Sequence, residues 1–357
     1  MQCANDKNDK QELYRVQRDI AIAENQQMSI KILLNSLYGA LGNKYFRFFD
    51  QRIAEGITLT GQLTIRWAEK AINTYLNSVL KTKKDYVLAI DTDSVYVCLD
   101  DLVSAVNPKN PLEFVDTVCK EKLEDVLEKS YGDLFDIMGG IENRMVMKRE
   151  AIADRGIWTA KKRYILNVHN SEGVQYEKPK IKVMGLEMVK SSTPAVIRDK
   201  LKDSLQVILS GDEKKLHTYV TEFKKEFVKL PIEDIAFPRG VNGMKQYAGS
   251  PIYTKGTPIH VRGSLLYNHY TKKMGLDKKY QAIRDGDKIK FVYVQKPNPL
   301  QEDIIAFPQQ LPKELGLESY IDYDKQFEKV FLDALQIVIE PLGWKTQEQS
   351  SLENFFG

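Results

Sequence analysis

The stretch Tyr86-Val-Leu-Ala-Ile-Asp-Thr-Asp-Ser-Val-Tyr-Val-Cys-Leu99 decides how the rest of this chain is interpreted. Its two flanks, residues 86–90 and 95–99, are β-branched, aromatic and aliphatic, and residues 91–94 form a polar interruption between them. Apolar flanks around a short polar turn predict a β-hairpin. The stretch therefore indicates that part of the fold is an antiparallel sheet.

The interruption carries two acidic residues, Asp91 and Asp93. Because they are two positions apart, extended backbone would project both carboxylates to the same side. Two such carboxylates repel each other unless a divalent cation or a shared proton neutralises them. The pattern predicts half of a Mg²⁺ site for phosphoryl chemistry, although Asp and Thr are also common in solvated turns.

Composition bounds the protein class. With 357 residues the chain can bury the cores of two or three domains, and 43% hydrophobic with 28% charged residues is typical of a soluble globular protein. No apolar run approaches the roughly 20 residues of a membrane span, so no membrane is expected. Three cysteines and four histidines show no metal-ligand spacing, which favours a reducing compartment. The net charge of +3 does not by itself indicate nucleic acid.

Apolar spacing and helical propensity predict one long helix from about residue 10 to residue 41. Lys31, Asn35 and Tyr38 share one face of it, since they stand at i, i+4 and i+7. The helix rises roughly 10 Å between Lys31 and Tyr38. That span would let an ammonium meet a triphosphate while an aromatic ring and Gly39 border the base. A polar face at the end of an ordinary helix is the alternative interpretation.

These motifs resemble those of a known family. Lys31 with Asn35-Ser-Leu-Tyr-Gly-Ala-Leu-Gly-Asn43, followed by Asp91-Thr-Asp-Ser94, is similar to two motifs of family B DNA polymerases, especially those of T4-like bacteriophages. The resemblance implies an α+β fold, a partial polymerase right hand with a long fingers helix, an antiparallel palm sheet and a mostly helical thumb. It places the end of the fingers in residues 1–45, the palm in 46–192, the thumb in 193–345 and a flexible clamp-binding tail in 346–357.

The resemblance also implies roles for the residues of both motifs. Asp91 and Asp93 would be catalytic ligands in a site for two Mg²⁺ ions, with Asp93 the main ligand. Deoxynucleoside triphosphates would be held by four residues of the long helix: Lys31, Asn35, Tyr38 and Gly39.

A local basic stretch, Trp158-Thr-Ala-Lys-Lys-Arg-Tyr164, lies between strands predicted at residues 144–152 and 164–169. Consecutive cations with aromatic neighbours suit phosphate positioning on a duplex, although a solvated basic turn has the same composition. The stretch resembles the Lys-Lys-x-Tyr motif of the family. That resemblance implies contacts to primer–template DNA from the following residues: Lys161, Lys162, Arg163 and Tyr164.

Glu150 matches an acidic palm position of the family near the active site, and the resemblance implies that it also belongs to the DNA-binding residues. Two residues earlier the chain departs from the phage pattern, because Lys148 stands where the phage proteins have Asp. A last palm strand is predicted at residues 180–187. Periodicity predicts further helices at residues 52–80, 111–138, 195–209, 212–230 and 326–340.

The last residues turn polar and then end in apolar anchors. A tail of this kind folds on a partner, or packs on its own domain. Its spacing resembles the sliding-clamp-binding peptide of replicative proteins, which would use Gln349, Leu352, Phe355 and Phe356.

The first palm motif of the family, an Asp followed by a Ser-Leu-Tyr-Pro-Ser-like string, is absent from the 357 residues, as are acidic proofreading motifs. We therefore expect the C-terminal subunit or part of a replicative DNA polymerase, working in the cytoplasm of an infected bacterial host. It would synthesise DNA by two-metal nucleotidyl transfer once a separate N-terminal chain supplies the first palm carboxylate and the exonuclease. A non-catalytic DNA- and sliding-clamp-binding subunit is the alternative, and a template-independent nucleotidyltransferase is a weaker one because the long thumb implies a grip on duplex.

Overall fold

The computed structural model describes residues 10–346, which divide into two compact units. The first unit ends at Arg149 and the second begins at Glu150. This division falls inside the segment predicted as palm. The tail residues Gln349, Leu352, Phe355 and Phe356 lie outside the described residues. Within residues 10–346, none of the helices has the apolar length that a membrane span requires.

Two long helices begin the first unit, α1 (Lys10–Leu41) and α2 (Gln51–Leu80). The carboxylate of Asp50 caps α2 by accepting the backbone N–H of Arg52, and Lys81 ends the helix at φ +53°. The buried residues of α2 recur every three or four positions and give the helix one apolar face: Ile65, Ala68, Ile72 and Leu76.

The predicted hairpin is confirmed. Strands β1 (Val87–Asp91) and β2 (Ser94–Val97) pair antiparallel, and Asp91 pairs with Ser94 at the tip. The base of the hairpin packs on the apolar face of α2, because Tyr86 and Val87 share a buried core with Ile72 and Leu76. Helix α3 (Asp100–Val106) follows.

The helix predicted at residues 111–138 is present in three continuous pieces. These are α4 (Pro111–Val118), a π-helical turn (Cys119–Leu123) and α5 (Glu124–Met138). Asn110 caps the start, Pro111 occupies the first turn, and Gly139 ends the helix at φ +62°.

A three-stranded antiparallel sheet opens the second unit, in the order β3 (Ala151–Ala160), β4 (Arg163–Ser171) and β5 (Val174–Met184). The prediction of a strand at residues 144–152 is wrong except for its last two positions. Arg149 donates its backbone N–H to the Glu124 carboxylate, and its guanidinium, 7% exposed, pairs with Asp116. The backbone N–H of Arg149 is thus bonded to a side chain of a preceding helix rather than to a strand. Strand β5 also starts six residues earlier than predicted, at Val174.

Helices α6 (Ala195–Ser210), α7 (Glu213–Phe227) and α8 (Ile232–Ile235) follow, and the first two confirm the predicted pair. They share a buried core with the last helical segment, which consists of α11 (Tyr323–Phe327), a π-helical turn (Glu328–Leu332) and α12 (Asp333–Ile339). Aromatic rings fill the centre of this core, and the centroids of Phe223 and Phe331 lie 4.8 Å apart.

Between these helices lies a second sheet that the sequence did not predict, β6 (Phe237–Gly240), β7 (Lys288–Tyr293) and β8 (Ile304–Phe307). Helices α9 (Met244–Tyr247) and α10 (Ile259–Lys273) belong to the same part of the chain. Helix α10 packs closely on β8, since a Cβ at Gly263 would lie 2.9 Å from the backbone nitrogen of Ala306. The segment predicted as a mostly helical thumb thus also contains a buried antiparallel sheet.

Candidate active site and nucleic-acid interface

The hairpin tip is a very tight turn. The N–H of Asp93 donates to the carbonyl of Asp91 at 2.6 Å, and the intervening Thr92 lies at φ +54°. The Ser94 hydroxyl donates to the same carbonyl at 3.1 Å, and the Thr92 hydroxyl donates to the Asp91 carboxylate. A β-branched residue at positive φ is a backbone outlier that costs on the order of 1–3 kcal/mol. The tip is therefore strained and held by its own hydrogen bonds.

The expectation that extended backbone projects both carboxylates to the same side does not hold. Asp91 is the last residue of β1, whereas Asp93 lies inside the turn, and the left-handed Thr92 interrupts the extended backbone between them. Both residues nevertheless lie on one hairpin tip, where Asp91 is half-buried and Asp93 is exposed.

Carboxylate oxygens are the hard donors that Mg²⁺ prefers, so the chemistry of the tip fits this metal. Two carboxylates, however, are too few ligands to complete a Mg²⁺ site by themselves. Within residues 10–346 no group of three or more His, Cys, Asp or Glu side chains is arranged to hold a metal ion. The tip supplies two carboxylates, and further ligands would have to come from elsewhere.

The base of the hairpin is fixed to α2 by Asn73. Its side-chain oxygen accepts the N–H of Tyr86 at 2.7 Å, and its amide group donates to Asp85 at 2.8 Å. Hydrogen bonds from the Val87 N–H and from Asn73 hold the pKa of Asp85 below its ordinary value. These bonds attach the strand that carries Asp91 to a long helix.

The predicted nucleotide-binding face lies near the end of α1, and its four residues are all exposed: Lys31, Asn35, Tyr38 and Gly39. The Tyr38 hydroxyl is hydrogen-bonded to the Thr58 hydroxyl of α2 at 2.8 Å. Among the described residues, no atom lies within 4 Å of a Cβ built at Gly39. Helix α2 therefore contacts both the nucleotide-binding face and the hairpin base, at Thr58 and Asn73, which are about 22 Å apart along its axis.

The predicted DNA-binding cations form the connection between β3 and β4. Lys161 and Lys162 are the two turn residues, Lys162 lies at φ +61°, and Arg163 is the first residue of β4, where it pairs with Ala160. All three side chains are exposed. The structure thus places three adjacent positive charges at one end of the first sheet of the second unit.

Tyr164 differs from its three neighbours because it is only 5% exposed. Its ring lies 6.3 Å from that of Trp158, and a Cβ at Gly156 would come within 2.5 Å of the same tryptophan ring. In this structure Tyr164 is packed within the sheet beneath the basic turn. Its direct contact with DNA stays a prediction.

Glu150 lies at the start of the second unit, where its carboxylate pairs with the Lys182 ammonium at 2.7 Å. Both side chains are more than a third exposed, so this pair contributes little to stability. Lys182 follows the predicted start of the last palm strand and belongs to β5.

Comparison with known proteins shows the family of the chain. The sequence model of DNA polymerase family B matches residues 5–341. The chain belongs to DNA polymerase family B. It is 37% identical to the DNA-directed DNA polymerase of Enterobacteria phage T4, over 94% of this chain and 39% of the relative. The corresponding enzyme of Escherichia phage RB69 is 34% identical, over 96% of this chain and 40% of the relative.

A more distant relative is DNA polymerase II of Escherichia coli K12, which is 26% identical over 76% of this chain and 32% of its own length. The chain thus spans about two fifths of the length of its phage relatives. The proposed resemblance to family B polymerases of T4-like phages is confirmed.

Two kinds of residue in this family B chain were not predicted from the sequence. Asn73 was assigned only to a helix, although its amide group organises the hairpin base. Gly156 and Gly185 were not singled out, although both allow close packing around the basic turn. A signal existed for Gly185, since a glycine inside a strand pattern often marks a close approach. No pattern distinguishes Asn73 from other polar helix residues.

Proposed function

We propose that this chain supplies the end of the fingers, the palm and the thumb of a replicative DNA polymerase, as its C-terminal subunit. The observation that carries the proposal is the Asp91–Asp93 hairpin tip, whose base is bonded to α2, in a chain that matches the family over residues 5–341. The reaction is template-directed DNA synthesis from deoxynucleoside triphosphates.

In this reaction the primer 3′-hydroxyl attacks the α-phosphate of the nucleotide, the bond to the β-phosphate breaks, and pyrophosphate leaves. Asp93, with Asp91 in support, would hold Mg²⁺ at the hairpin tip together with a carboxylate from outside this chain. Two Mg²⁺ ions, when bound, stabilise the attacking and leaving oxygens. The tight turn at Thr92 fixes the backbone that carries both carboxylates, which supports a preorganised tip.

The face on α1 binds the incoming nucleotide. Lys31 offsets the charge of the triphosphate, while Asn35, Tyr38 and Gly39 border the base pair. The hydrogen bond between Tyr38 and Thr58 supports this assignment, because it fixes the aromatic ring to α2.

The basic turn of the second unit binds primer–template DNA. Lys161, Lys162 and Arg163 are exposed at the end of the sheet, where cations contact phosphates without reading sequence. Tyr164, and Glu150 near the start of β3, belong to the same DNA-contacting region.

The remaining metal ligand comes from a separate N-terminal chain that carries the first palm motif and the exonuclease. One fact supports this proposal: within residues 10–346 no group of three or more His, Cys, Asp or Glu side chains is arranged to hold a metal ion. The tail residues Gln349, Leu352, Phe355 and Phe356 bind the sliding clamp. By the relationship to phage enzymes, the complex works in the cytoplasm of an infected bacterium.

To test this proposal, the purified chain is mixed with a second chain that carries the first palm motif. Primer extension is then measured with and without Mg²⁺. We expect extension only when both chains and Mg²⁺ are present. Extension by this chain alone at the rate of the mixture would disprove the dependence on a partner. DNA binding by the mixture without extension would favour the non-catalytic DNA- and clamp-binding subunit.

A further inference from the structure

The turn that carries Lys161 and Lys162 contacts the end of β5. Gly185 follows that strand at φ +69°, and a Cβ added there would overlap the backbone carbonyl oxygen of Lys162. The same Cβ would lie 3.2 Å from Cγ of Arg163. Only a residue without a side chain allows the backbone of the turn to approach this closely.

Lys162 itself adopts a backbone conformation that is uncommon for lysine, at φ +61°. Such a conformation persists where the surrounding structure determines it. Hydrogen bonds between β3 and β4 hold the turn on one side, since Ala160 pairs with Arg163. Contact with Gly185 holds the Lys162 carbonyl on the other side, and the stem of Arg163 lies over the same glycine.

We infer that Gly185 is a positioning residue for DNA binding, which acts by fixing the backbone of Lys162 and the stem of Arg163. This inference rests on the proposed role of the basic turn as a DNA contact. A methyl group at residue 185 displaces the Lys162 carbonyl, and with it the direction in which the two neighbouring cations leave the sheet.

Gly173 offers a matched control. It lies in the other turn of the same sheet, between β4 and β5, at φ +88°. In the part of the chain that the structure describes, nothing lies within 4 Å of a Cβ built there. Gly173→Ala and Gly185→Ala therefore both strain a left-handed position, but only Gly185→Ala collides with the basic turn.

The experiment measures binding of the full 357-residue chain to a fluorescent primer–template duplex at several salt concentrations. Gly185→Ala should raise Kd on the order of 10-fold and lower the salt-dependence slope by about 1, as expected for one lost phosphate contact. Gly173→Ala should keep Kd within about 2-fold and leave the slope unchanged. A purely structural role predicts lower Tm for both variants without any change of slope. Equal Kd and slope for the two variants would overturn the inference.

A second pair of variants tests the same contact from the other side, and decides the question if Gly185→Ala does not fold. Lys162→Asn and Lys162→Val remove the same charge, but asparagine tolerates φ +61° and valine does not. Valine should therefore weaken DNA binding further than asparagine. Identical binding by the two variants would show that the backbone of Lys162 does not matter and that the inference is wrong.

The double variant Lys161→Ala with Lys162→Ala separates this inference from the proposed function. If that variant binds duplex like the wild type, the basic turn is not a DNA contact and the proposed role fails. If it weakens binding while Gly185→Ala behaves like Gly173→Ala, only the positioning role of Gly185 fails.

Discussion

At the scale of single residues, the hairpin tip combines charge with backbone strain. Thr92 at φ +54° places Asp93 inside a turn whose N–H is bonded to the Asp91 carbonyl. Strain of this kind is kept where surrounding structure determines it, and it occurs often at active sites. This strain supports the proposal that the tip is a functional turn rather than a solvated connection.

Asp93→Asn tests the metal-binding role directly. The change removes one negative charge but keeps the size of the side chain, so we expect polymerisation by the complemented enzyme to fall by at least about 100-fold. Duplex binding should stay unchanged, because we assign it to phosphate contacts of the basic turn. Steady-state primer extension and fluorescence anisotropy measure the two quantities. Glu128→Gln, an exposed change on α5, is the matched control, and equal activity of both variants would remove the metal role from Asp93.

Asn73 allows a prediction about stability at the same scale. Asn73→Ala removes the side chain of α2 that accepts the N–H of Tyr86 and donates to the Asp85 carboxylate. We expect this loss to cost about 1–3 kcal/mol in unfolding free energy. Urea unfolding followed by circular dichroism measures the loss. Unchanged stability would show that water replaces both hydrogen bonds.

The pH dependence of this loss has a defined sign. The folded-state pKa of Asp85 is below the ordinary value of 3.8, so its contribution is present above pH 3.8 and is lost as pH falls through the folded pKa. The difference in stability between the wild type and Asn73→Ala should therefore be largest near neutral pH and should narrow below pH 3.8. A difference that grows on acidification would contradict the assignment.

At the scale of elements, α2 supports both parts of the candidate site in the first unit. Tyr38 of α1 is bonded to its Thr58, and the hairpin is bonded to its Asn73. We expect Tyr38→Phe and Thr58→Val each to raise the KM for nucleotide by a similar factor, since each removes the same hydrogen bond. The double variant should be no worse than either single variant. Additive effects on KM would show that the two hydroxyls act separately.

The elements also show which structure is predictable from sequence. Helices α1, α2, α6 and α7 were predicted to within a few residues, because apolar spacing and caps such as Asp50 and Asp212 are local signals. The hairpin was predicted for the same reason. The strand at residues 144–150 failed because Met145 and Met147 alternate like a strand but pack on the helical core. The early start of β5 was missed because its first residues are mostly exposed and polar.

From the sequence, only the identities of the candidate site residues could be predicted, and not the geometry of the site. The motifs identified Asp91, Asp93 and the four residues of α1 as candidates. They gave neither the positive φ of Thr92 nor the tertiary contact between Gly185 and Lys162. A contact between residues that are far apart in the chain has no periodic signature, so the sequence could not reveal it.

At the scale of the whole molecule, each buried core consists of residues from one side of the division after Arg149. The core around Ala68, Ile72 and Leu76 contains only residues of the first unit, whereas the two other cores contain only residues of the second. Each unit thus has its own hydrophobic core, which is the condition for independent unfolding.

Two core variants test that independence. Leu76 and Phe331 are each fully buried, in the first and second unit respectively, so Leu76→Ala should cost about 2–5 kcal/mol and Phe331→Ala about 3–5 kcal/mol. If the units unfold separately, Leu76→Ala lowers the midpoint of one calorimetric transition and Phe331→Ala lowers the other. The variant that lowers a transition assigns it to the unit that carries the substitution. A single transition that both variants lower equally would mean that the two cores unfold as one cooperative body, despite sharing no buried residue.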